Sequence, residues 1–259
     1  MGLGTYPMDD AEAAEAVASA LRTGYRLIDT AVNYGNETGV GRGVAASGVD
    51  RGEIRITTKL PGRHHGYDET LASFEESRAR LGVEYVDLYL IHWPLPRVDK
   101  YVDSWRAMIK LREDGLVRSI GVSNFTADHL ERLRRETGVL PSVNQIEMHP
   151  LLVQSELRAV HAELGVRTES WSPLGRGSDV LEDAAIGAVA RKYGVTPAQV
   201  VLRWHTQLGA VPIPKSSDTE RRRTNLDLFG FELTDQELAQ VADRRQKRLG
   251  GDPAVHEEF

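Results

Sequence analysis

Asp29, Tyr34, Lys59 and His92 are the residues of this 259-residue chain whose types and spacing suit chemistry together. Each stands at or just past the C-terminal end of a short apolar run. Residues 25–28 lead into Asp29, with Tyr34 in the loop that follows; residues 54–58 lead into Lys59; residues 86–91 lead into His92. A phenol is a weak acid, with an ordinary pKa of about 10. A nearby ammonium favours the phenolate and lowers that value, and a carboxylate can hold the ammonium in place. An imidazole can hydrogen-bond a carbonyl oxygen and orient it. Together they make a proton donor suited to carbonyl reduction, provided the runs are neighbouring parallel strands that share one mouth. Singly, each has a plainer explanation: Asp29 as a helix cap, Tyr34 as a loop residue, Lys59 as a solvated cation, His92 as core. Placement at successive strand ends is what favours the catalytic reading.

The elements that must position these groups alternate along the whole chain. Strand-like runs cover residues 2–6, 26–28, 55–58, 86–91, 117–122, 143–147, 166–171 and 210–213. Helical patterns lie between them. Residues 10–23 place Ala13, Ala14, Val17, Ala20 and Leu21 on one face, with Gly24 as a stop. Thr126 is placed to cap a helix that runs to Thr137 before Gly138, and Thr196-Pro197 is a second start signal. Strict alternation with short joins implies a parallel sheet with helical crossovers, and eight units favour a closed TIM (β/α)8 barrel, one α/β domain over residues 1–259. Residues 234–248 read as an extra C-terminal helix, followed by an irregular tail. Gly41-Arg42-Gly43-Val44-Ala45-Ala46 matches a loose dinucleotide fingerprint, but it follows a helix start rather than a strand, so it reads as helix interior.

Composition removes several classes. With no cysteine, disulfides, thiol catalysis and Cys-ligated zinc are excluded. A net charge of −6 with mixed signs argues against a general nucleic-acid surface. No apolar stretch approaches the ~20 residues of a membrane span, and Met1-Gly2-Leu3-Gly4 does not open a signal peptide. The expectation is a soluble, cytoplasmic protein without nucleic-acid or membrane partners. His64 and His65 are adjacent and lack partner spacing, so they read as surface loop and no metal site is expected. His149 and His161 read as structural or solvent-facing. Lys215 and Arg221 flank a helix start at residues 216–219, a place that favours phosphate; Arg222 and Arg223 read as solvated face.

Read in order, these segments resemble the aldo-keto reductase family over nearly the whole chain. The likeness rests on Gly2-Leu3-Gly4-Thr5-Tyr6, on Gly24-Tyr25-Arg26-Leu27-Ile28-Asp29-Thr30-Ala31 with Tyr34-Gly35-Asn36-Glu37, on Thr58-Lys59-Leu60 and on Leu90-Ile91-His92-Trp93-Pro94. It continues through Gly121-Val122-Ser123-Asn124-Phe125, Asn144-Gln145-Ile146-Glu147, Trp171-Ser172-Pro173-Leu174-Gly175 and Ile213-Pro214-Lys215-Ser216. Trp171 and the ending from Asp252 to Phe259 look most like the bacterial 2,5-diketo-D-gluconate reductase branch. The resemblance implies a barrel that binds NADPH/NADP+ in extended form and reduces a small-molecule carbonyl. It implies Tyr34 as general acid, Lys59 and Asp29 as its tuning pair, and His92 as the carbonyl-orienting group. Ser123, Asn124 and Gln145 would hold the nicotinamide carboxamide and Trp171 would stack on its ring, with Thr5, Ser172 and Leu174 also at the cofactor. Lys215, Ser216 and Arg221 would take the 2′-phosphate and Asn225 the adenine. Tyr6 and Trp93 would line the substrate pocket, and a monomer is the family-like expectation.

The chain departs from the family pattern in three respects. It opens at the first strand, where the family usually begins with a hairpin under the barrel: either that plug is lost or the start is truncated relative to its relatives. Thr224 stands where many members carry Glu for the adenine amine. Leu60-Pro61-Gly62-Arg63 replaces a Trp often found just after the Lys, which together with short connections at 94–100 and 175–182 predicts an open pocket. Two other functions compete: a nicotinamide-binding regulatory protein on the same barrel, and an unrelated barrel isomerase or lyase with phosphate near Lys215 and Arg221.

Overall fold

A computed structural model of the chain describes residues 1–242 and 246–258. The elements are β1 (Leu3–Gly4), α1 (Asp10–Thr23), β2 (Leu27–Asp29), α2 (Glu37–Ala46), β3 (Arg55–Leu60), α3 (Tyr67–Leu81), β4 (Val86–Ile91), α4 (Tyr101–Glu113) and β5 (Val117–Ser123). They continue with α5 (Ala127–Thr137), β6 (Val143–Glu147), α6 (Ser155–Leu164), β7 (Arg167–Trp171), α7 (Ala184–Tyr193), α8 (Pro197–Gln207), β8 (Val211–Ile213), α9 (Thr219–Leu226) and α10 (Asp235–Val241). The strands pair in parallel in the order β1 to β8. The two outer strands also meet. The N–H groups of Gly2 and Gly4 donate to the carbonyls of Pro212 and Pro214 at 3.1 and 3.0 Å, which closes the sheet into the expected barrel.

Local sequence explains most boundaries. Asp9, Thr126, Thr196 and Thr234 each cap a helix and take part in a reciprocal capping box, a device that stabilises a helix start by about 1 kcal/mol. All six residues of β4 are buried, as in a strand covered on both faces. The glycines of the false dinucleotide fingerprint are interior to α2 and serve packing. A Cβ at Gly41 would lie 2.2 Å from the Leu81 carbonyl oxygen, and one at Gly43 would lie 2.7 Å from that of Ala14, so α2 could not sit this close to its neighbours with side chains there.

The C-terminal region corrects the expectation of a helix over 234–248. The helix ends at Val241; residues 243–245 lie outside the described residues, and 246–249 are not helical. Their backbone donors are used elsewhere: Lys247 N–H reaches the Leu151 carbonyl at 2.6 Å, and Leu249 and Gly250 N–H reach the Glu147 carboxylate at 2.5 and 3.1 Å. An i to i−4 ladder cannot form when its donors bond across the barrel mouth. Among the described residues no helix is long and apolar enough to cross a membrane.

The barrel also sets the mouth. Just past the strand ends, the N–H groups of Thr5, Thr30, His92 and Asn124 extend the ladder to the carbonyls of Asp29, Thr57, Leu60 and Gln145 at 3.1, 2.9, 3.1 and 2.9 Å. These bonds, with the β4–β5 ladder that sets Ile91 opposite Val122, bring the C-terminal ends of β1 to β6 to one level, where barrel enzymes build their sites.

Candidate active site

Asp29 ends β2, Lys59 lies in β3 one residue before its end, and His92 follows β4 directly. Tyr34 sits in a single helical turn, Val32–Tyr34, closed by Gly35 in the left-handed region at φ 67°. Lys59 Nζ donates to Asp29 Oδ1 at 2.6 Å and to the Thr30 carbonyl at 3.1 Å, and it reaches the Tyr34 hydroxyl at 3.4 Å, a long bond. The Lys59 and Asp29 side chains are only 1% and 5% exposed, so this is a fully desolvated ion pair. Burial alone would lower the Lys59 pKa, but Asp29 and Tyr34 outweigh it and raise it to about 12. The ammonium is therefore held in its charged form at neutral pH.

Tyr34 corrects one expectation. Tyr34 lines the cavity and is partly exposed, while its hydroxyl is packed against the buried Lys59 ammonium. Burial raises its pKa above the ordinary value; Lys59 pulls in the opposite direction and Asp29 adds to the rise. Burial prevails over the ammonium, so the phenol holds its proton. That state suits a proton donor. His92 meets Tyr34 edge-on, ring centroids 5.9 Å apart.

A second layer holds the pair from behind. Gln145 Nε2 donates to Asp29 Oδ2 at 2.8 Å and to Glu169 Oε2 at 3.0 Å. Only an NH2 group can serve two carboxylates, so the amide oxygen of Gln145 is left as an acceptor. Burial pushes Glu169 up to about 7, against the opposing hydrogen bond from Gln145 and with a smaller upward contribution from Asp29.

A cavity of about 670 Å³ opens in front of these groups. Its lining includes Thr5, Tyr6, Asp29, Tyr34, His92, Trp93, Ser123, Asn124, Gln145, Trp171, Ser172, Leu174 and Lys215, so the structure gathers most of the expected site. Trp171 Nε1 donates to Asn124 Oδ1 at 2.8 Å, while Asn124 Nδ2 donates to the His92 carbonyl at 3.0 Å and to Ser123 Oγ at 3.1 Å. These bonds fix the indole plane and the amide beside the tetrad. Thr5 has spent its hydroxyl on the Asp29 carbonyl at 3.0 Å. Tyr6 stands at the rim, 48% exposed, and Trp93 is buried.

Ser216, Arg221 and Asn225 are not among the cavity-lining residues; they lie on the rim loop and on α9. Lys215 and Arg221 are exposed, and among the described residues the Lys215 ammonium has no ion-pair partner. Arg222 is not solvated face. It is buried and donates to the Ser216 carbonyl at 3.0 Å and to Ser19 Oγ and Thr219 Oγ1 at 2.9 Å, which shapes the loop that carries Lys215. Arg223 is exposed and pairs with Glu220, as a solvated residue would. His65 is likewise buried rather than on a surface loop, and burial drives its pKa down to about 4. His149 and His161 are buried and structural, bonded to Glu147 and to Asn144 and Thr168. Among the described residues no group of three or more His, Cys, Asp or Glu is arranged to hold a metal ion.

The C-terminal tail was not anticipated at the site. Gly250, Gly251, His256 and Glu258 line the cavity, so the predicted open pocket is walled on one side. The Glu258 carboxylate comes 2.8 Å from His92 Nδ1, a short but bent ion-pair contact. Asn33 and Arg176 also line the cavity. No spacing pattern announces these residues; a Gly-Gly-Asp-Pro break before a polar end was the only signal in the sequence. Phe259, the last residue of the tail, lies outside the described residues.

Comparison with known proteins agrees with this geometry. The profile of the aldo/keto reductase family matches residues 1–245. The chain is 54% identical to 2,5-diketo-D-gluconic acid reductase B of Corynebacterium sp. (strain SHS752001), over 100% of this chain and 94% of that protein. Its fold is similar to that of Gox0644, solved as a single-substitution mutant in complex with NADPH, with a TM-score of 0.94, 48% identity, and coverage of 99% of this chain and 93% of that one. A Bombyx mori aldo-keto reductase in complex with NADP superposes with a TM-score of 0.90 at 36% identity, covering 97% of this chain and 91% of that one.

Proposed function

Because this chain belongs to the aldo/keto reductase family, whose general reaction is carbonyl reduction, we propose that it reduces an aldehyde or ketone with NADPH and that Tyr34 supplies the proton. The observation that carries the reading is the buried Asp29–Lys59 pair within reach of the Tyr34 hydroxyl, at a cavity that both Tyr34 and His92 line.

The residues present fit the cofactor. Gln145 keeps a free acceptor for a carboxamide NH2, Ser123 and Asn124 add polar groups next to it, and Trp171 presents a fixed indole face. At the rim, Lys215 has no ion-pair partner among the described residues, and Arg221 stands near the start of α9; both suit a 2′-phosphate. Ser216 shapes that loop, and Asn225 and Thr224 on α9 would face the adenine. When bound, the nicotinamide supplies a hydride.

The chain's own groups do the rest. His92 holds the carbonyl oxygen, Tyr34 donates its hydroxyl proton to that oxygen, and the Lys59 ammonium stabilises the phenolate left behind. Asp29 keeps Lys59 charged and in place, backed by Gln145 and Glu169. Tyr6 and Trp93 form apolar walls. Arg176, whose guanidinium lies 5.4 Å over the Tyr6 ring, puts a cation at the entrance, which suits an acidic substrate such as a keto-sugar acid. The 2,5-diketo-D-gluconic acid named in its relative is of that class. A regulatory binder would have no use for the Tyr34–Lys59 pair, which favours turnover over binding alone.

Single-turnover hydride transfer with NADPH prebound tests the assignment. Tyr34→Phe keeps the ring and removes the proton, so the rate should fall by about 10²- to 10⁴-fold while NADPH affinity holds. A rate close to wild type would mean that Tyr34 is not the acid. A panel of keto-sugar acids, small dicarbonyls and aromatic aldehydes then ranks the substrates.

A further inference from the structure

Arg222 is a buried cation without a counter-ion. It is the fourth residue of α9, and only 2% of it is exposed. Its donors meet neutral oxygens: the Ser216 carbonyl at 3.0 Å and the Ser19 and Thr219 hydroxyls at 2.9 Å. Nε has no hydrogen-bond partner. Among the described residues no carboxylate forms an ion pair with it. The two acids nearest in sequence are spent elsewhere. Asp218 caps α9 by accepting the Arg221 N–H at 2.7 Å, and Glu220 pairs with Arg223 at 2.9 Å.

Taking a guanidinium out of water costs free energy that neutral hydrogen bonds return only in part. Its position adds to the cost. The group reaches back to Ser216 and Thr219 at the start of α9, where the helix dipole is already positive. Within residues 215–223, the four cations Lys215, Arg221, Arg222 and Arg223 face only the two carboxylates of Asp218 and Glu220. Lys215 lines the cavity and is adjacent in sequence to the residue whose carbonyl Arg222 holds. This loop therefore carries a surplus of positive charge at the rim and no anion of its own to balance it.

Burial gives Arg222 a property that Lys215 and Arg221 lack. Those two are exposed, so salt screens them, over a Debye length of about 8 Å at physiological strength. A buried charge is screened much less. Arg222 is also fixed. Ser19 of α1 holds its guanidinium, and the Tyr25 hydroxyl donates to its backbone carbonyl at 3.1 Å.

We propose that Arg222 is a specificity-determining residue for the cofactor: its buried guanidinium supplies a fixed, salt-resistant positive charge that favours the 2′-phosphate at the Lys215 loop and finds its counter-ion there. The proposal rests on the reading of Lys215 and Arg221 as the 2′-phosphate site.

NADP+ and NAD+ differ only in that phosphate, so the ratio of their affinities, from fluorescence titration of the full chain, isolates the effect without turnover. Arg222→Gln keeps donors for the Ser216 carbonyl and removes the charge. It should lower the ratio about tenfold, the scale of one unit charge acting over roughly 10 Å at an effective dielectric of about 20. NAD+ affinity should hold. Arg222→Lys keeps the charge but cannot bond all three oxygens, and it should retain most of the ratio. In a Lys215→Ala background, Arg222→Gln should lower the ratio again by a similar factor. Raising KCl from about 0.05 to 0.5 M should shrink the effect of Lys215→Ala far more than that of Arg222→Gln. The absence of any further loss in the Lys215→Ala background would overturn the proposal, because Arg222 would then act only by shaping the loop. Equal loss of NADP+ and NAD+, or Arg222→Lys as impaired as Arg222→Gln, would overturn it too. A ratio untouched by Lys215→Ala would instead remove the 2′-phosphate site itself, and the proposal with it.

Discussion

Replacing Asp29 by Asn probes the centre of the site without changing its shape. Both Asp29 oxygens accept from donors: Oδ1 from Lys59 Nζ at 2.6 Å and Oδ2 from Gln145 Nε2 at 2.8 Å. Asn brings its own NH2 to one of these places, so one donor then faces another donor. The rise of Lys59 from 10.5 to about 12 corresponds to roughly 2 kcal/mol, at 1.36 kcal/mol per pH unit. Because the folded value is the higher one, this contribution is fully present below pH 10.5 and is lost as pH rises toward 12. Without the carboxylate, burial takes over and Lys59 falls below its ordinary value. Leaving a buried charge without its partner typically costs about 3–5 kcal/mol. Urea unfolding at pH 7 should show a loss of that size. The gap should narrow toward pH 10, because the unfolded variant then binds more protons at Lys59 than the folded one, and its stability rises with pH. Single-turnover hydride transfer should slow about 100-fold, within the range for general acid catalysis, as the Tyr34 phenolate loses its charged neighbour. A stability gap below about 1 kcal/mol that stays flat across this pH range would refute the idea that Asp29 keeps Lys59 charged.

Two further outcomes follow from the same geometry. Lys215→Ala should weaken NADPH by about tenfold or more and leave NADH nearly unchanged, since one charge-assisted phosphate contact is lost; equal weakening of both in a fluorescence titration would remove Lys215 from the 2′-phosphate. Glu169 is raised from 4.5 to about 7 in the fold, so its ionisation opposes folding as pH climbs between those values. Glu169→Gln should then be more stable than wild type at pH 8, by at most about 3 kcal/mol, with little gain at pH 4.5; an equal gain at both pH values in urea melts would show that packing, not charge, is responsible.

The alternation of elements, the caps at Thr126 and Thr196, the glycine stops and the strand-end positions of Asp29, Lys59 and His92 were all legible in the sequence. They rest on local physics. A cap bonds to an N–H three residues away, and a buried parallel strand shows as an apolar run whose end marks the barrel mouth. The placement of Ser123, Asn124, Gln145 and Trp171 around one cavity followed from the same register once the sheet closed.

What the sequence could not reveal depends on contacts between distant residues. Arg222 reads as one of three solvated arginines until Ser19, 203 positions away, and the Ser216 carbonyl take its donors. The direction of the Tyr34 shift was a contest between burial and the Lys59 ammonium, and only the packing of the folded barrel around the phenol decides it in favour of burial. The helix expected over 234–248 stops at Val241, and the chain beyond it gives backbone donors to Glu147, about a hundred residues back. Local propensity names elements and their ends, because its forces act over one or two turns. The burial of a charge and the resting place of a tail are set by whichever surfaces the closed barrel leaves open, and those surfaces exist only after folding.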